Sequence, residues 1–64
     1  MPSPHAELSS LAATLDDLAK RITEIAERTT GTAEDWLASE LFAVERSLGE
    51  ARRRLNRLSD RVRG

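Results

Sequence analysis

The sequence predicts an all-α protein, a two-helix antiparallel coiled-coil hairpin that dimerises into a four-helix bundle. Two apolar seams repeat at heptad spacing, and a short break carrying Gly31 separates them. The third observation is size and chemistry. At 64 residues with no Cys and one His, the chain has no disulfide staples, no thiolate ligands for zinc and no multi-histidine metal site. Apolar residues make up 39% and charged residues 33%, a balance that suits long amphipathic helices better than a compact globule. Residues 1–64 form one domain at most.

The first helix is expected over about residues 4–30. Leu8, Leu11, Leu15, Leu18, Ile22 and Ile25 are spaced 3, 4, 3, 4, 3, an a/d seam with no period-2 alternation. Ser3 suits an N-cap and Pro4 the first helical position, where its missing N–H costs nothing. Gly31 can take the left-handed conformation that ends helices, so the turn falls at about 30–33. The second helix is expected over about 33–62, with Leu37, Leu41, Val44, Leu48, Ala51, Leu55, Leu58 and Val62 as its seam. Thr32 offers a capping hydroxyl and Asp35 an acid that reaches back, while Arg61 and Arg63 suit the negative end of the helix dipole.

A connection of about four residues makes the helices antiparallel neighbours. Pairing Ile25 with Leu37, Leu18 with Val44 and Leu11 with Ala51 keeps the residue numbers adding to 62. Ile22 with Leu41, Leu15 with Leu48 and Leu8 with Leu55 add to 63. This register also sets part of the basic half of helix 2 beside acids of helix 1, placing Arg46 across from Asp16 and Asp17. The charges are segregated: residues 1–44 carry 3 basic and 8 acidic side chains (−5), and residues 45–64 carry 7 and 3 (+4).

Two helices alone share one seam, and for so short a chain burial and conformational entropy nearly cancel. Oligomerisation is the remaining route to stability. Ala12, Ala19 and Ala26 recur every seven residues and widen the apolar stripe of helix 1 toward a second hairpin. Trp36 and Phe42 lie outside the helix 2 seam on different sides, and both are expected as interface anchors of a homodimer that also engages another protein.

The chain shows no catalytic constellation. His5 reads as an exposed residue at a helix start, adjacent Asp16 and Asp17 point apart, and Glu24 and Glu27 read as a solvated face. No Gly-rich phosphate loop and no metal spacing is present, so neither enzyme activity nor a cofactor is expected. Nucleic acid is disfavoured: the Arg52–Arg54 run lies in a segment without aromatics, and the pI is about 5.7. The chain carries no membrane-length apolar run and no leader-like segment, which points to the cytoplasm.

One stripe is more specific. Glu45, Gly49, Arg52, Asn56 and Asp60 follow E-x3-G-x2-R-x3-N-x3-D on one face of helix 2. Glycine in mid-helix costs up to about 1 kcal/mol relative to Ala, and close approach of a flat group would offset that. Arg can grip a phosphate or a guanine edge, and Glu, Asp and Asn match the remaining edges of guanine. The stripe resembles the signature of actinobacterial coiled-coil anti-sigma factors that sense cyclic di-GMP, which read E-x3-S-x2-R-x3-Q-x3-D on antiparallel helices. Glu45, Arg52 and Asp60 match, whereas Gly49 stands for Ser and Asn56 for Gln. The match covers sixteen residues of helix 2, and helix 1 has no second copy. The resemblance implies a regulatory hairpin with cyclic di-GMP as ligand, the alternative to a non-enzymatic interaction and oligomerisation module.

Overall fold

The computed structural model describes residues 3–63, without the side chain of Arg63. It is a helical hairpin of α1 (Pro4–Thr29) and α2 (Asp35–Arg63) packed against each other, with no strand among the described residues. The start follows the sequence reading. Ser3 is extended, its hydroxyl accepts the Ala6 N–H at 3.2 Å, and Pro4 opens the helix. The dipole role expected of the Arg63 side chain lies outside the described residues.

The turn is longer than expected because the chain spends two extra residues capping itself. Gly31 takes a φ of +76°, the left-handed conformation that side chains other than glycine adopt only with strain. Thr32 donates its hydroxyl to Thr29 O at 2.7 Å and accepts the Glu34 N–H at 3.1 Å. The Asp35 carboxylate reaches back to the Gly31 N–H at 2.6 Å. Asp35 reaches back as expected, but to Gly31, and Thr32 closes the turn rather than capping the helix, because α2 begins at Asp35 rather than 33.

That lengthened turn resets the register. The touching pairs Asp16 with Arg52, Thr23 with Glu45 and Ser9 with Ser59 have residue numbers adding to 68. Compared with the expected 62 and 63, one helix has slid along the other by five to six residues, about one and a half turns. The helices are also rotated. Ala12, Ala26 and Ala38 are buried, Ala26 at 0% exposure, whereas Leu11, Leu18, Ile25, Val44, Leu58 and Val62 are exposed. The seam between the helices therefore runs through Leu8, Ala12, Leu15, Ala19, Ile22 and Ala26, about 50° round α1 from the expected stripe at 100° per residue. Its register brings each of these alanines to within one residue of level with a leucine of α2 (Leu55, Leu48, Leu41), so that large meets small.

No large side chain is fully buried, and Leu8, Leu15, Ile22, Leu41, Leu48 and Leu55 are each only half-buried. The extents are 48 × 17 × 11 Å and the radius of gyration is 14.8 Å, against about 10.7 Å for a compact domain of this length. The molecule is one layer of helices. Neither helix is long and apolar enough to cross a membrane.

Candidate functional site

The seam has two flanks, and they differ in kind. On one, Leu11, Leu18 and Ile25 of α1 follow each other every seven residues, and Leu37, Val44, Ala51 and Leu58 do the same on α2. Leu11 is 54% exposed and Leu58 46%. Together with the half-buried leucines between them, these residues make a continuous apolar face along the hairpin. About half of the stripe read from the sequence as the contact between the two helices is thus this outward face, the rest staying in the seam.

The expected anchors are distributed differently. Ala12 and Ala26 are covered by α2, because small side chains let the two backbones close up there; they are not available to a second hairpin. Ala19 is half-buried and lines the opposite flank. Phe42 is also half-buried, while Trp36, in the first turn of α2, is 67% exposed. Of the five, only Trp36 remains as a large free apolar surface.

On the second flank lies an open groove of about 540 Å³, lined by both helices and including Asp16, Thr23, Glu45, Gly49 and Arg52. Heptad spacing brings Glu45 and Arg52 into the seam itself, where hydrophobicity alone would not place them. Each is answered from α1. The Thr23 hydroxyl lies within reach of both the Glu45 carboxylate and the Ala19 carbonyl, and its one proton favours the carboxylate, the stronger acceptor. Arg52 Nε stands 3.8 Å from Asp16, and Asp16 in turn lies 3.3 Å from Lys20. Arg46, expected across from Asp16, lines the groove without forming an ion pair among the described residues.

The five-residue stripe is therefore split. Glu45, Gly49 and Arg52 share the groove, Asn56 lines an adjoining hollow of about 320 Å³ with Arg52, and Asp60 is exposed and lines neither. At Gly49 an added Cβ would meet the Arg53 guanidinium at 3.3 Å, the movable end of a long side chain. No backbone crowds the position.

At the open end the structure holds a cluster that sequence reasoning missed. Ser59 is 2% exposed. His5 Nδ1 lies 3.0 Å from the Ser59 carbonyl oxygen and 2.6 Å from its hydroxyl, and Ser9 Oγ lies 3.1 Å from the same hydroxyl. A carbonyl only accepts, so Nδ1 carries the proton shared there. Ser59 Oγ can return a bond to His5 O at 3.2 Å. His5 is thus half-buried rather than an exposed helix start. A serine beside a histidine suggests a nucleophile, but one this covered cannot meet a substrate. The cluster clasps the ends of the two helices. No local pattern announces it, since His5 and Ser59 are 54 residues apart and Ser59 lies outside the seam expected from the sequence.

The group chemistry is otherwise sparse. No cluster of three or more His, Asp or Glu that could hold a metal ion occurs among the described residues. No protein-family model matches the chain, and no similar curated protein or solved structure was found.

Proposed function

We propose that the protein is a non-enzymatic interaction module that self-associates, two hairpins closing their apolar faces into a four-helix bundle. The single observation that carries this is the one-layer architecture. Domains bury an amphipathic element by setting a second layer against it, and here the leucines of the seam are covered on one side only. The amount of surface agrees. The lone hairpin exposes 4822 Å², where a compact chain of this mass exposes about 4,100 Å². The difference, about 700 Å², is close to the ~800 Å² each partner contributes to a standard interface. A second copy is the occupant favoured, because heptad-spaced apolar rows on both helices form a surface complementary to itself.

Sedimentation equilibrium at micromolar concentration tests it: the expected mass is twice 7.1 kDa, and a cooperatively folded monomer would overturn the reading.

A second reading, nucleotide binding in the polar groove, is favoured by one observation: Glu45, Gly49 and Arg52 share one wall of a cavity large enough for a base. Calorimetric titration with cyclic di-GMP tests it, and no heat at high micromolar ligand removes it.

A further inference from the structure

Resting on the bundle reading above, we infer that the two copies dock antiparallel, the turn of each hairpin lying toward the open end of its partner, about a two-fold axis that crosses the helices near Leu18.

Two face-to-face arrangements of such hairpins are symmetric. With the axis along the helices, both turns lie at one end and α2 of one copy covers α1 of the other. With the axis across them, the turns lie at opposite ends, α1 covers the partner α1 and α2 covers the partner α2. The apolar rows fit both. In the crossed arrangement Leu18 and Ala51 lie near the axis, Leu11 stacks on the partner position of Ile25, and Val44 stacks on that of Leu58. In the other, the same rows meet as α1 against α2.

Charge separates the two. The turn end, residues 24–44, carries Glu24, Glu27, Glu34, Asp35 and Glu40 against Arg28 alone, net −4. The rest of the chain carries 9 basic and 6 acidic side chains, net +3. Docking turn beside turn would gather −8 at one end of the bundle. Crossed docking parts the two −4 ends, laying each over residues 1–12 and 58–64 of the partner, which sum to zero, while the +3 of residues 45–57 lies at mid-length in either arrangement. Helix layers lie about 10 Å apart, close to the Debye length of ~8 Å at physiological ionic strength, so this preference is weakened by salt but not erased.

The test uses the absence of cysteine. Ala33→Cys, at the exposed turn, gives one labelling site per chain. Dipolar spin-label spectroscopy on the full chain reads the distance between copies, with sedimentation run on the same sample. Crossed docking predicts labels separated by nearly the 48 Å length of the hairpin. A dimer with labels within about 20 Å, two layers apart, overturns the orientation and leaves the bundle standing. A monomer with no dipolar signal overturns both. Raising salt is expected to admit a share of short label distances beside the long one, whereas an orientation unchanged at high salt would overturn the charge argument.

Discussion

On one flank of the seam the hairpin presents Leu11, Leu18, Ile25, Val44 and Leu58 to water; on the other, the same two helices present Asp16, Thr23, Glu45 and Arg52. The polar flank looks the more reactive, since it holds the larger groove and most of the charge near the seam. Yet its two seam charges are answered within the chain, Glu45 by Thr23 and Arg52 by Asp16. The apolar flank has no such answer, and its large side chains remain exposed. Need for a partner is therefore read from what a surface leaves incomplete, not from how many functional groups it displays.

The comparison breaks most easily at Leu18. In the proposed crossed dimer a carboxylate there would face its own copy. Leu18→Glu is expected to weaken dimerisation by about 10²–10⁴-fold, from about 3–5 kcal/mol of lost burial over two copies, read by sedimentation. An unchanged dissociation constant would show that this flank is not the interface. Inside the hairpin the close alanine contact is next. Ala26→Leu, at a site with no free space, should cost about 1–3 kcal/mol in urea unfolding through overpacking.

Effects on the polar flank are smaller and differ in sign. Gly49→Ala is expected to stabilise the hairpin by about 0.5–1 kcal/mol, because only the Arg53 guanidinium must move and helix entropy is gained. A loss in thermal unfolding would mean that the groove needs its bare backbone. Arg52→Ala removes an ion pair between side chains 35% and 44% exposed. Its expected cost is about 0.2–1 kcal/mol in thermal melts, with dimerisation unchanged.

Both helices, the cap of α1 and the residues of the turn were legible in the sequence, because Ser3, Pro4, Gly31, Thr32 and Asp35 act through bonds within a few residues of themselves. What hydrophobic periodicity could not supply was rotation and register. The apolar stripe of α1 is three positions wide, so it can turn either Leu11 or Ala12 toward a neighbour, and hydrophobicity favours the leucine. The folded chain turns in the alanines, which let the backbones approach, and leaves the leucines outward. Register depended on polar matches, Ser9 with Ser59, Asp16 with Arg52 and Thr23 with Glu45, that an apolar pattern treats as noise. The candidate groove was half legible: the spacing placed Glu45, Gly49 and Arg52 together but did not show that α1 engages two of them. The clasp at His5 and Ser59 joins residues 54 apart in sequence and was not legible at all.

The plank-like outline has a practical consequence for counting copies. Laying a second plank on an 11 Å thick face doubles the mass while the 48 Å long dimension stays as it was. Elution volume and scattering radius, governed by that longest dimension, shift little on pairing, and an extended single chain already elutes ahead of its true weight. Light-scattering mass, which is indifferent to outline, is the quantity that distinguishes one plank from two.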